Sequence, residues 1–260
     1  VEFMCILAIQ YQLVPDSPIL VAANREEYFD RNAQPPSIQS GKPRILCGID
    51  QQAGGTWLGV NQNGMLVGVC NRSKLIPPVA PRSRGVLCRE LLRCGSARQG
   101  VDQAMDELSS GKYDGANYVI ADSESAWAVH GGDELNATEL NEGLSIIANS
   151  DVNDPRDERV QLAYRLLTLQ TLDSPVKFLA VASKVFSRAP SPPGRPTMVA
   201  RGKDWGTVSS TLVALGKKPR DAIYQFANGA PDQVKYEDYS PMLRDILSRG
   251  LREARAKAGT

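Results

Sequence analysis

Two apolar runs that meet at a short turn near the amino end constrain this chain most. Met4-Cys5-Ile6-Leu7-Ala8-Ile9 and Ile19-Leu20-Val21-Ala22-Ala23-Asn24-Arg25-Glu26-Glu27-Tyr28 flank Val14-Pro15-Asp16-Ser17-Pro18. Apolar runs on either side of a Pro/Asp turn predict a β-hairpin. With the turn centred near Pro15–Asp16, paired positions sum to about 30–31 under the antiparallel ladder rule, which sets Cys5 opposite Arg25 or Glu26. A thiol, a guanidinium and a carboxylate then meet at one end of a buried hairpin. The plain alternative is an ordinary strand cysteine, because free Cys is among the most buried residue types.

A second hairpin reads from Thr56-Trp57-Leu58-Gly59-Val60 through Asn61-Gln62-Asn63-Gly64 to Met65-Leu66-Val67-Gly68-Val69. Asn-Gly is a strong turn signal. Its pairing sum of about 125–127 sets Asn71-Arg72 beside Gly54-Gly55. Glycines there predict a close backbone approach by another segment, or simply a turn.

The remaining elements alternate in blocks. Asp30 to Lys42, with Pro35-Pro36, reads as a polar loop, and Ile45–Gly48 as a short strand. Helical periodicity covers Val86–Leu92 and Ala97–Leu108. Tyr118–Ala121 and Ala126–His130 predict a strand pair. Glu139-Leu140 and Leu144–Asn149 predict another, around Asn141-Glu142-Gly143. Asp154-Pro155 reads as a helix N-cap with Pro at the first turn, and Ser174-Pro175 as the next. Ser187 to Pro196 reads as a surface loop. Trp205–Leu215, Ile223–Phe226 and Val234–Tyr236 read as strands. An amphipathic basic helix closes the chain from Pro241 to Lys257, with Met242, Leu243, Ile246, Leu247 and Leu251 as its docking face. Strands, two helices, strands, two helices, strands and one helix predict an α+β layered domain, not a βαβ alternation.

Of 260 residues, 42% are apolar and 23% charged, the composition of a globular protein with a sizeable core. Net charge is +1, which argues against nucleic acid or an anionic membrane as partner. No apolar run approaches the roughly 20 residues of a membrane span. Cys5, Cys47, Cys70, Cys88 and Cys94 form an odd, scattered set without zinc-site spacing. That pattern suits reduced thiols and a cytoplasmic location. Val1-Glu2-Phe3 reads as an appended remnant before a natural start at Met4, and 4–260 as one domain. A Cys in second place permits removal of the initiator Met, which would give Cys5 a free α-amine.

A free N-terminal Cys is a self-contained catalyst. The thiolate attacks, and the α-amine, with a pKa near ~8, takes and returns the proton. No His is required, which suits a chain whose one histidine is His130. Arg25 would lower the thiol pKa. Asn71 and Asn149, each just past an apolar strand, could donate to a tetrahedral oxyanion. His130 could pair with a thiol, but a lone His is more often a structural hydrogen-bonder. Arg82, Arg84 and Arg89 read as a solvated helix start, although the Ser83/Arg84 backbone there could hold an anion.

Met4-Cys5-Ile6-Leu7 followed by Val21-Ala22-Ala23-Asn24-Arg25-Glu26-Glu27 resembles the NRDE family, also called transport and Golgi organisation protein 2-like. Ala53-Gly54-Gly55-Thr56-Trp57-Leu58-Gly59, Val69-Cys70-Asn71-Arg72, Arg82–Gly85, Asn149-Ser150 and Gly206–Thr211 resemble its later blocks, in order. The resemblance implies an N-terminal-nucleophile hydrolase fold: a four-layer αββα sandwich of two mostly antiparallel sheets. The family is in turn similar to choloylglycine hydrolase and penicillin acylase. By that likeness Cys5 matches the nucleophile, Arg25 its assisting arginine, with Glu26 beside it, and Asn71 and Asn149 the oxyanion asparagines. Asn24, Glu27, Gly54, Gly55, Arg72 and Ser150 fall in the same blocks as expected substrate-binding positions. Two departures stand out. Glu26 replaces the family's usual Asp, and Val208 stands where relatives often carry an arginine, which removes a charge the hydrolases use.

Three readings follow. One is an amidohydrolase or acyltransferase acting on a small-molecule amide or thioester, with no cofactor and no metal. A second, implied by the resemblance to eukaryotic relatives, is a carrier for haem, lipid or acyl-CoA. Against haem stand the lack of a Cys-Pro pair and the single His. The third is a fold whose pocket has lost its chemistry, which Val208 favours.

Overall fold

The computed structural model describes residues 5–189 and 195–259. In chain order the strands are β1 (Ile6–Tyr11), β2 (Ile19–Tyr28), β3 (Ala33–Gln39), β4 (Ile45–Asp50), β5 (Leu58–Asn61) and β6 (Leu66–Asn71). Helices α1 (Arg84–Leu91) and α2 (Ala97–Ser109) follow, then β7 (Ala116–Ala121), β8 (Ala126–Gly131), β9 (Leu135–Glu139) and β10 (Gly143–Ile147). Helices α3 (Glu158–Leu167) and α4 (Pro175–Phe186) lead to β11 (Trp205–Leu215), β12 (Ile223–Ala227), β13 (Glu237–Asp238) and α5 (Ser240–Ala258).

The strands form two antiparallel sheets. One runs β10-β1-β2-β11-β12-β13 and the other β3-β4-β5-β6-β7-β8-β9. Alternation along each strand sorts its side chains into layers. Leu7, Ile9, Val21 and Val213 of the first sheet pack against Leu58 and Leu66 of the second. The opposite face of the first sheet, Ile6, Ala8, Leu20 and Ala22, meets Phe178 and Phe186 of α4 and Val160 of α3. The outer face of the second sheet, with Met65, Val67, Tyr118 and Ile120, meets Leu87 and Leu91 of α1 and Val101 and Ala104 of α2. The result is the four-layer αββα sandwich. Leu243, Ile246 and Leu247 of α5 cap the central layer from one edge.

Both hairpin registers match their expected sums. Ile6 pairs with Asn24 and Leu58 with Gly68. Other elements differ. The stretch read as a polar loop contains β3, an edge strand whose register shifts between Gln34 and Ser37. Pro35 and Pro36 fall within that shift, where no ladder donor is needed. Glu139 and Leu144 do not start a hairpin. β9 pairs with β8, whereas β10 pairs with β1 in the other sheet, so Asn141-Glu142-Gly143 carries the chain between layers. Asp157, not Asp154, caps α3 and accepts from the N–H groups of Arg159 and Val160. Asp154 instead accepts from the Arg156 N–H, one turn earlier. Val234–Tyr236 is not a strand; the short β13 follows it. On α5, Met242 and Leu251 are exposed. Part of the Ser187–Pro196 loop lies outside the described residues.

Candidate functional site

Cys5 immediately precedes β1 and faces the central layer with Leu7 and Ile9. Leu7 pairs with Ala23 on one side and Ile147 on the other. Continuing both registers by two residues sets Cys5 between Arg25 and Asn149. The Cys5 thiol accepts the Glu26 backbone N–H at 3.4 Å and lies 3.7 Å from the Glu26 carbonyl oxygen. Burial, and then the Glu26 charge, push the thiol up to about 12, against the weaker pull of the Glu26 backbone hydrogen bond, Arg25 and Arg159. At neutral pH the thiol is therefore protonated, and nucleophilic use of it needs a base.

A cleft of about 420 Å³ opens above Cys5. Arg25, Glu27, Trp57 and Asn71 line it, with Arg82 and Arg84 on the far wall. Arg25 lies over the Trp57 ring, 4.6 Å from its centroid, and pairs with Glu27 at 3.6 Å. Glu27 also pairs with Arg31 at 3.4 Å, and Arg31 reaches Asp50 at 2.7 Å. Burial works against the Asp50 charge, but Arg31 overrides it and holds Asp50 below the usual carboxylate range. This row of alternating charges keeps the Arg25 head in place although its stem is buried.

Alternation on β2 separates the Asn-Arg-Glu-Glu stretch. Arg25 and Glu27 face the cleft, whereas Asn24 projects into the α4 layer, where its Nδ2 donates to the Phe186 and Met198 carbonyls. The Glu26 carboxylate is buried at the strand end. Its Oε1 accepts from Arg159 at 2.7 Å and from the Thr207 hydroxyl at 2.9 Å. Its Oε2 has no hydrogen-bond partner among the described residues. Burial raises Glu26 above the ordinary carboxylate range, opposed by the Arg159 charge and the hydrogen bonds of Arg159 and Thr207.

The other expected positions are distributed around this centre. Asn71, the last residue of β6, is in the cleft wall. Asn149 follows β10 with a buried amide oxygen and is not among the cleft-lining residues. Arg72 turns away, donating to Asn117 at 3.3 Å and to Asp151 at 2.7 Å. Ser150 is tied down through its carbonyl, which accepts from Asn117 at 2.8 Å. Gly54 has φ +70° and its carbonyl accepts from Arg89. Gly55 meets the backbone of Gly85 so closely that a Cβ would collide with it. The expected close approach is thus made at Gly55, against the start of α1, whereas Gly54 has open space around it and serves the turn. His130 is buried with Nδ1 2.8 Å from the Asn117 side-chain oxygen, a structural contact. Arg82 stacks on Tyr113 and pairs with Glu107, while Arg84 donates to the Gly115 carbonyl. The N-terminus of α1, capped by Ser83, borders the cleft between them.

Two participants escaped the sequence reading. Asn117 on β7 links His130, Arg72 and the 148–150 backbone through one amide. Arg159 brings a cation to Glu26 from α3. Its position is legible in hindsight: Arg159 shares the buried helix face with Val160, Ala163 and Leu167, where a charge requires a partner. Val208 lies at the register shift between β11 and β2 and carries no charge there. No group of three or more His, Cys, Asp or Glu side chains with metal-binding geometry exists among the described residues. No described helix is long and apolar enough to cross a membrane.

A family model described as Transport and Golgi organisation 2 matches residues 4–224. The mouse Transport and Golgi organization 2 homolog is 30% identical over 134 residues, which is 46% of this chain and 45% of that protein. The human homolog is 28% identical over 138 residues, 47% of each. The chain spans about half the length of the curated relatives it matches. Among solved structures, the Caenorhabditis elegans N-acylethanolamine-hydrolyzing acid amidase ortholog superposes with a TM-score of 0.51 at 13% identity. That match covers 80% of this chain and 92% of the amidase, a likeness of fold.

Proposed function

The chain belongs to the Transport and Golgi organisation 2 family, and on that premise we propose that it is a cysteine amidohydrolase or acyltransferase acting on an amide or thioester, with Cys5 as nucleophile. One observation carries this reading. Of the five cysteines, Cys5 alone is among the cleft-lining residues, beside Arg25 and within reach of the Asn71 wall. The hydrolase-like fold supports the same reaction class.

In this reading, removal of the residues before Cys5 makes it terminal. Its α-amine, with a pKa near ~8, then takes the thiol proton that burial otherwise holds. The sulfur forms a bond to the acyl carbon, the carbon–nitrogen or carbon–sulfur bond breaks, and the proton leaves with the amine or thiol. Water, or an acceptor amine, attacks the resulting thioester and returns a proton through the α-amine to Sγ. The Asn71 and Asn149 amides are the proposed oxyanion donors. The proposed role of Arg25, fixed on Trp57 and Glu27, is to hold the acyl group over the sulfur. Glu26 holds the terminal ammonium through its unpartnered Oε2. With a residue still joined to Cys5, the nitrogen is an amide and the site is silent.

The test compares protein beginning at Cys5 with protein carrying Val1–Met4, each treated with p-nitrophenyl acetate and read by intact mass and peptide mapping. The expected result is acetylation of Cys5 far ahead of the other four thiols, in the first form only. Equal labelling of all five thiols ends the enzyme reading. A saturable haem absorbance change lost in Cys5→Ala would replace it with the carrier reading.

A further inference from the structure

Glu26 presents an unusual arrangement. Its side chain is completely shielded from water, Oε1 accepts two hydrogen bonds and Oε2 has no hydrogen-bond partner among the described residues. A buried carboxylate in that state tends to become neutral unless a fixed cation opposes burial. The groups that face it are Arg159 from α3, Thr207 from β11 and Cys5 ahead of β1, with the Cys70 thiol of β6 within reach of its charge. Arg159 is the only cation among these. Arg25, its neighbour on β2, is engaged with Trp57 and Glu27 on the cleft side.

Arg159 is itself held by a second set of contacts. Its Nε donates to the Thr197 carbonyl at 3.0 Å and its Nη2 to the Met198 carbonyl at 2.6 Å. Met198 also accepts from Asn24. The guanidinium therefore spans α3, the 197–198 segment and the end of β2. A lysine ammonium cannot reproduce that planar fork. The contacts fix the cation on Oε1 and keep it off Oε2.

We infer that Arg159 is a positioning residue of the Cys5 site: it keeps Glu26 ionised through Oε1 so that Oε2 stays free to hold the α-amine of Cys5. This rests on the reading of Cys5 as a nucleophile. It gives the site a buried cation from α3, where β11 supplies the Thr207 hydroxyl and the uncharged Val208.

The direct test needs no activity. The full chain is labelled with ¹³C at the glutamate carboxyl carbons, and the Glu26 resonance, assigned with Glu26→Gln, is titrated. Removing the cation in Arg159→Met should move the Glu26 titration up by about 1–3 pH units, the size of effect an adjacent opposite charge produces. Arg159→Lys should fall between that variant and the natural chain. Thr207→Val, which removes one hydrogen bond and no charge, should give a smaller upward move; it serves if Arg159→Met does not fold. An unchanged titration in the Arg159 variants overturns the inference.

The second readout is the pH profile of Cys5 acetylation by p-nitrophenyl acetate in protein beginning at Cys5. The acidic limb should move up in Arg159→Met by the same amount and return part of the way in Arg159→Lys. A rate lowered equally at all pH values, with the limb in place, would mean a structural role and overturn the inference. If the natural chain fails to acetylate at Cys5, the enzyme reading falls, while the carboxyl titration still decides whether Arg159 governs Glu26.

Discussion

The guanidinium of Arg25 lies over the indole of Trp57, 4.6 Å from the ring centroid, and not in a hydrogen bond to the thiol of Cys5 beside it. Trp57 in turn packs on Phe226 with ring centroids 6.4 Å apart. The arginine is thus held by an indole that leads into β5 of the opposite sheet and is backed by Phe226 on β12 of its own sheet. Trp57→Ala removes the stacking partner and leaves a void between the sheets. It should cost about 2 kcal/mol of stability, less than a fully buried Trp would. Trp57→Phe should cost about half as much. Urea denaturation followed by circular dichroism measures both.

Gly54 and Gly55 stand side by side but for different reasons. A Cβ on Gly55 would run into the backbone of Gly85 and Val86, which no rotamer change relieves. Gly54 has open space around it and needs only its positive φ. Gly55→Ala should destabilise by about 3 kcal/mol through forced separation of α1 from the sheet. Gly54→Ala should cost about 1 kcal/mol from left-handed strain. Equal costs in a denaturation series would contradict this division.

Protonation governs the reactivity of Cys5. In the chain that carries Val1–Met4, the thiol is pushed up to about 12 by burial and the Glu26 charge. Alkylation of Cys5 by iodoacetamide should therefore rise about tenfold per pH unit from neutrality to pH ~10 without a plateau. Glu26→Gln removes the second cause and should shift the whole curve to lower pH. Mass spectrometry of the Cys5 peptide gives the rate; a plateau near pH 8 would sink the prediction.

His130 sets one part of the pH dependence of stability. Burial, then the Arg72 charge, lower it below the usual imidazole value, with Asp151 opposing. As pH falls, the unfolded chain takes up this proton before the folded one does. The contribution is complete above about pH 6.5, the unfolded value, and is lost as pH falls through the folded value. Stability should thus rise with pH across that window, and the rise should shrink in His130→Gln. The comparison of the two unfolding curves at pH 5 and pH 7 isolates the imidazole from Glu26, whose raised value acts with the opposite sign.

The outcome for individual elements shows where sequence information runs out. The hairpin registers were readable because a turn and two apolar runs fix antiparallel pairing by arithmetic, as Ile6 with Asn24 and Leu58 with Gly68 demonstrate. β3 was hidden because its prolines obey the rule for edges, and edge status is a property of the finished sheet. Likewise the turn at Asn141-Glu142-Gly143 has hairpin residues, yet β10 pairs across to β1 because Ile146 and Ile147 are buried on that sheet.

Sequence alone determined the layered α+β class, the two hairpins, and the placing of Cys5 beside Arg25, since each follows from local periodicity and ladder geometry. Tertiary structure decided which groups surround the thiol. Alternation turned Glu27 to the cleft and Asn24 away from it, and packing of α3 against the first sheet brought Arg159 onto Glu26 across 133 positions of sequence. No local pattern encodes that meeting, because the charge on α3 finds its partner only when two layers close around it and exclude water.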